Sequence, residues 1–341
     1  MADVLAPETD LREPPRIATL RTALAIVLLL VLAAAGLRLS SPQRVAWIQT
    51  FFVIFGSLVI QALPFVLVGA FAAAVIEVFI PVGMLERLAE LPRPLQLPAA
   101  GLAGIALPIC ECGSVPVARR LIRKGLMPSA AVTFMLAAPI VNPVVVASTF
   151  VAYRSRTSLW TMVAGRFTLG LLVAIAVGWV VGHISQEDLL KPDPSEEPTA
   201  AVEPERREPR WRHFFLRMGN DFLFMGRFLV LGATLAAVVQ TFLPSTITAK
   251  VAGLPILSIL VMMALAFVLS LCSESDAFIA ASFVQFAPSA QLAFLVFGPM
   301  VDFKLGALYA GTFRRGFLRT VVVAAAACTL VGTLWIQVIW G

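Results

Sequence analysis

The sequence predicts an all-α polytopic membrane protein, an inverted repeat with about seven full spans and two re-entrant, broken helix hairpins. Three observations predict it. Of 341 residues, 59% are hydrophobic and 13% charged, against roughly 45–50% and about 25% in a soluble globular domain. Two apolar stretches are interrupted by polar residues and match each other in order and spacing. The basic residues fall mostly on one side if those stretches turn back on themselves. Soluble enzymes, nucleic-acid modules and disordered scaffolds are excluded by composition, because a water-soluble fold of this length has nowhere to hide so much apolar surface. The net charge of +6 then marks cytoplasmic loops, not nucleic acid, and the lipid bilayer is the first expected partner.

Taken in order, residues 1–18 form a polar N-terminal tail, and residues 19–45 hold an extra first span with its apolar run at 20–37. The long polar lead favours an uncleaved span over a signal peptide. The first repeat covers 46–184. Its apolar run at 46–80 would reach about 52 Å as a helix, beyond the ~30 Å hydrocarbon core, so it must tilt, kink at Pro64 or leave the bilayer. An amphipathic stretch at 84–91 is closed by Pro92 and Pro94. The run at 97–109 is too short to span. It meets Cys110, Glu111, Cys112, Gly113 and Ser114, and a second short run containing Pro116 ends at Arg119, Arg120, Arg123 and Lys124. Residues 130–151 read as a span interrupted by Pro139 and Pro143, and 159–181 as another. Residues 185–212 carry five prolines and many charges and read as an exposed cytoplasmic linker. The second repeat, 213–341, has a long run at 214–243. A run at 254–271 then leads into Cys272, Ser273, Glu274, Ser275 and Asp276 and a short run at 277–286. A span at 292–311 contains Pro299, and 321–340 closes the chain.

Internal similarity supports the repeat. Leu107 to Ala118 aligns with Leu269 to Ala280, and Phe134 to Asn142 with Phe294 to Asp302. With the N-terminus inside and both broken pairs re-entrant, 17 basic residues lie inside and five outside; if both pairs cross fully, the same residues divide 11 to 11. The positive-inside rule prefers the first arrangement. It makes the halves antiparallel, with one hairpin entering from each side, as in many secondary transporters.

Breaks at 111–114, 139–143, 273–276 and 299–302 are tolerated at membrane depth only where protein or a water-filled cavity satisfies the freed backbone. They mark the expected substrate site. Glu111, Glu274, Asp276 and Asp302 are the acidic candidates for ion or proton coupling, with Lys304 either part of that coupling or a plain counter-ion for Asp302. Cys110, Cys112 and Cys272 bring three thiols to the two hairpin tips. They are either small apolar filler or soft ligands for a thiophilic solute, with Gly113, Ser114, Asn142, Ser273 and Ser275 beside them. Cys328 reads as packing. Arg166 and Arg227, inside spans, are expected to pair with Asp221 and Glu77 rather than bind an anion. No ATP-binding P-loop, dinucleotide fingerprint or zinc motif is present, so no cofactor and no metal is expected. His183 and His213 read as surface residues.

Cys110, Glu111, Cys112, Gly113 and Pro116, then Leu121 and Gly125, then Pro139, Asn142 and Pro143 resemble the motifs of a bacterial predicted-permease family. The likeness continues at Pro299, Asp302 and Lys304 and covers nearly the whole chain from Ala46. Some members of that family look like efflux permeases for trivalent organoarsenicals such as methylarsenite. The resemblance implies a multi-pass inner-membrane permease, not an enzyme. It implies substrate contact at Cys110, Cys112 and Cys272, with a small-molecule or metalloid substrate. Two rivals stand beside it. One is the membrane subunit of a larger complex, with an accessory partner or a second copy. The other is an intramembrane enzyme using thiols and carboxylates, for which no histidine is paired with any cysteine.

Overall fold

The computed structural model describes residues 46–79, 92–106, 109–182, 189–191, 210–242 and 255–340. The extra span at 20–37, the amphipathic stretch at 84–91, His183 and the side chains of Glu77 and His213 lie outside the described residues. The chain divides into two compact units, Met1–Val53 and Ile54–Gly341. The second unit carries every element of the candidate site.

Among the described residues are twelve α-helices. α1 is Ala46–Phe79, α2 Arg93–Leu102, α3 Glu111–Arg123, α4 Pro128–Val141, α5 Pro143–Tyr153 and α6 Leu159–Val181. α7 is Arg210–Phe242, α8 Pro255–Leu269, α9 Asp276–Ser282, α10 Pro288–Phe297, α11 Phe303–Thr312 and α12 Arg315–Trp340. The order in the first six is matched by the second six: a long helix, two shorter helices around a break, a pair joined at a second break, and a long closing helix. Backbone groups in lipid must be satisfied within the protein, and helices do this segment by segment.

Among the described residues, five helical segments are long and apolar enough to cross a membrane: Ile48–Val75, Pro128–Tyr153, Leu159–Val181, Phe214–Thr241 and Arg315–Ile339. In the stretch at 292–311 the expected break at 299–302 separates two short helices. α10 ends at Phe297 and α11 starts at Phe303, each helix being ten residues, about 15 Å at 1.5 Å per residue. The seventh expected span, at 20–37, is outside the described residues. The long run at 46–80 is one 34-residue helix that passes through Pro64.

α4 and α10 are the central helices; every residue from Ser129 to Val141 and from Ser289 to Phe297 is buried. α4 packs along α2 and α6, and α10 along α8 and α12. Small residues permit the closest approaches. A Cβ on Gly178 of α6 would meet the Thr133 hydroxyl of α4 at 1.9 Å. The two halves also exchange elements: α3 packs on α11, and α9 on α5.

The linker expectation is also modified. Residues 189–191 are fixed to the segment after α11. Leu190 and Phe313 form an antiparallel bridge, the Lys191 N–H donates to Thr312 O at 3.1 Å and the Arg314 N–H to Leu189 O at 3.0 Å. Leu189 is fully buried. The backbone at the end of α11 is thereby satisfied by the linker.

Candidate functional site

Four breaks bring the polar residues together, and each has a local cause. α2 continues as a 3-10 turn, Ala103–Ile105. The chain is extended at Cys110, and Glu111 is the first residue of α3. The interruption therefore lies before the motif, not at 111–114. Its counterpart lies at 270–275. Ser270, with φ of +47°, adopts a left-handed conformation uncommon for a residue with a Cβ. Its hydroxyl donates to Phe267 O at 3.0 Å and accepts the Phe303 N–H at 3.1 Å. Asp276 then opens α9. Both helices thus start with a carboxylate, where the helix dipole favours one.

The other two breaks are capped alike. Asn142 Oδ1 accepts the Val144 N–H at 2.9 Å at the start of α5, and Asp302 Oδ1 accepts the Leu305 N–H at 2.6 Å at the start of α11. These side chains supply the partner that a helix N-terminus lacks. Pro143 occupies the first position of α5, where its missing N–H costs nothing. Pro299 lies in the turn between α10 and α11. Pro139 and Pro116 are not breaks, since α4 and α3 run through them.

At the centre, two carboxylate–cation pairs join the halves. Lys304 Nζ of α11 lies 3.5 Å from Glu111 Oε1 of α3 and 3.7 Å from Asp302 Oδ2, and 3.8 Å from Cys272 Sγ. Glu111 Oε2 accepts a 2.9 Å hydrogen bond from the Ser273 hydroxyl. The second pair is Arg166 of α6 with Asp276 Oδ2 of α9, at 2.7 Å. Arg166 also donates to Ser273 O at 3.1 Å and to the Thr149 hydroxyl at 2.9 Å. Glu111, Arg166, Asp302 and Lys304 are each 1% exposed, so the cluster is closed to bulk water. Carboxylate oxygens are left over: Asp276 Oδ1, Asp302 Oδ2 and both oxygens of Glu274 are buried without a hydrogen-bond partner.

The thiols meet this cluster. Cys110 and Cys112 flank Glu111 at the start of α3, and Cys272 Sγ lies 3.8 Å from Lys304 Nζ; all three are buried. Cys328 is half-buried on α12, packed against the core. Among the described residues, no group of three or more His, Cys, Asp or Glu side chains is arranged to hold a metal ion. Ser114 donates to Glu111 O at 2.9 Å. Ser275 donates to Cys272 O at 3.1 Å and accepts from Gln61 of α1 at 3.0 Å. Gly113 sits at a helix crossing, where a Cβ added to Gly69 would lie 2.3 Å from its Cα.

The pairing expected for Asp221 is replaced: Asp221 pairs with Arg120 at 2.9 Å, and Arg166 pairs with Asp276. Arg227 lies over the rings of Phe224 and Phe228. Sequence reasoning also missed the bonds of Tyr153 and Gln291. The Tyr153 hydroxyl donates to Gln291 Oε1 at 2.8 Å, and Gln291 donates to Phe283 O and Phe286 O. The one available signal was a glutamine inside an apolar run.

A multi-span, all-α fold whose ionisable groups are buried at helix breaks is the architecture of a membrane permease. The chain belongs to the family described as "Predicted permease" (ArsP_1), which matches residues 47–338. That membership makes it a transport protein of the bacterial inner membrane rather than an enzyme. It is similar to "UPF0718 protein YcgR" of Bacillus subtilis, with 36% identity over 293 residues, 83% of this chain and 96% of that protein. It is also similar to a "Putative two-component membrane permease complex subunit" of Streptococcus mutans, with 34% identity over 289 residues, 82% of this chain and 94% of that protein. No solved structure matches.

Proposed function

We propose that this permease is a secondary transporter, exporting a small solute by alternating access at the site between the four breaks. The observation that carries the reading is the exchange of elements, α3 onto α11 and α9 onto α5. Each half presents its broken pair to the other, which is the arrangement by which one repeat rocks against another around a fixed site. The halves are antiparallel and the N-terminus is cytoplasmic, a reading supported by the 17-to-5 division of basic residues. Reporter fusions at Lys124 and Gln285 should report opposite sides of the membrane; both on one side would end the inverted-repeat reading.

The driving force is an ion gradient, with Glu111 or Glu274 carrying the coupling proton. The substrate is thiophilic and is held by Cys110, Cys112 and Cys272, and a trivalent organoarsenical fits that chemistry. Cells expressing the wild type should survive methylarsenite better than cells expressing the triple Cys→Ser variant. Equal resistance would sink the thiol role.

A second reading is that the chain works as one subunit of a larger permease complex. The name of the Streptococcus relative favours it. Deleting the middle of the stretch at 192–209 should then abolish transport while the protein stays in the membrane.

A further inference from the structure

The two cation–carboxylate pairs have different geometries. Arg166 is fully engaged, with contacts of 2.7, 2.9 and 3.1 Å to Asp276, Thr149 and Ser273. Lys304 is not. Its ammonium lies 3.5, 3.7 and 3.8 Å from Glu111, Asp302 and Cys272, well outside the ~2.7–2.9 Å of a strong charge-assisted hydrogen bond. It is nonetheless sealed from water, and Asp302 Oδ2 has no hydrogen-bond partner at all. A buried ammonium with two carboxylates and a thiol around it and no tight bond to any is an occupant of a cation cage, not a clasp.

From this geometry we propose that Lys304 sets the coupling-ion specificity of the permease. It is a tethered counter-cation that holds the Glu111–Asp302 cage, admits a proton and excludes alkali-metal ions. The inference rests on the transport reading above and deepens it. With Glu111 and Asp302 ionised and Lys304 protonated, the three groups carry one net negative charge. A proton arriving from water bonds to a Glu111 carboxylate oxygen and makes that acid neutral. Lys304 keeps its own proton, loses its hold on Glu111 and remains with Asp302, so the cage becomes neutral. Release reverses the step. A proton needs no added volume and no ligand shell. A sodium or potassium ion would have to enter a sealed cage already filled by an ammonium and would meet that charge at close range.

The groups facing Lys304 leave it in this role. α3 brings Glu111 and Cys112, and the turn at 270–275 brings Cys272 and Glu274. Its own segment brings Asp302, while the Tyr309 hydroxyl donates to Met300 O. α7 meets it with Gly232, where a Cβ would lie 2.6 Å from Lys304 Cα; the Asp221 of α7 is held by Arg120 and its Arg227 by aromatic rings. α12 contributes Arg315 and Arg319, both exposed. Arg166 and Asp276 hold each other.

The test is binding of radioactive sodium ion to the purified full-length protein in detergent at pH 8, which needs no transported solute. Its failure is therefore distinct from a failure of the transport reading. The wild type should bind no sodium at millimolar concentration. Lys304→Gln, which bares two carboxylates, should bind it at least tenfold more tightly, and Lys304→Gln/Glu111→Gln, which restores a single negative charge, should lose it again. Sodium binding by the wild type, or no difference between the wild type and Lys304→Gln, overturns the proposal. A second readout covers the case in which Lys304→Gln does not fold. Infrared difference spectra of the wild type on acidification should show a protonated carboxyl component that is missing from the spectrum of Glu111→Gln. Identical carboxyl bands in the wild type and Glu111→Gln overturn the proposal equally.

Discussion

The Arg166–Asp276 pair provides the sharpest test of how the halves are held together. Arg166→Met removes the guanidinium and leaves a buried carboxylate, a backbone carbonyl and a hydroxyl without their donor. Removing one partner of a buried ion pair costs about 3–5 kcal/mol, because the remaining charge stays desolvated. At ~2.1 cal/mol/K of unfolding entropy per residue, a chain of 341 residues carries about 0.7 kcal/mol/K. The loss therefore corresponds to a fall of about 4–7 °C in the unfolding midpoint in detergent. Arg166→Met/Asp276→Asn removes both charges and should recover most of that, since replacing a whole buried pair is often close to neutral. The double-mutant cycle isolates the pair, with intrinsic fluorescence on heating as the assay. If Arg166→Met costs less than a degree, or the double variant loses the sum of the two single variants, the clasp is wrong.

Three further outcomes are expected. Asn142→Ala should destabilise by about 1 kcal/mol and Asn142→Ser by only a few tenths, because serine also caps. Transport by Asn142→Ser then measures any direct role of the amide in substrate binding, and a normal rate would leave Asn142 as a cap alone. Gly69→Ala places a Cβ 2.3 Å from Gly113 Cα, against backbone that has no rotamer to shift, so it should cost about 1–3 kcal/mol; unchanged thermal stability would contradict the crossing. Leu189→Ala empties a fully buried position whose carbonyl holds the Arg314 N–H and should cost about 2–5 kcal/mol, read as a lower midpoint than for a substitution at the exposed Arg154.

Much of the site was legible in the sequence because its chemistry is conspicuous against lipid. Carboxylates and thiols stand out in an apolar chain, and Asn142 before Pro143 is a helix-start signal in any protein. What was not legible depends on direction and distance. Hydropathy counts residues and is blind to where the backbone turns, so the break read at 111–114 lies ahead of Glu111 instead, at the extended Cys110. Pro139 and Pro116 looked like breaks, but each removes only its own N–H from the ladder, and the helix continues on both sides of it. Arg166 and Asp276 are 110 residues apart, and no local pattern selects that pairing over Asp221. Leu189 lay in a stretch whose average is polar, and its burial follows from one backbone bridge that composition does not encode.

The reciprocal arrangement has a consequence for biosynthesis. Glu111 must wait for Lys304, Arg166 must wait for Asp276, and Leu190 must wait for Phe313. A ribosome that has released only the first half has inserted helices whose charged groups still lack their counterparts. Neither half should persist alone in the bilayer, whereas two fragments made together from a chain cut between 192 and 209 should complete one another and accumulate as a pair.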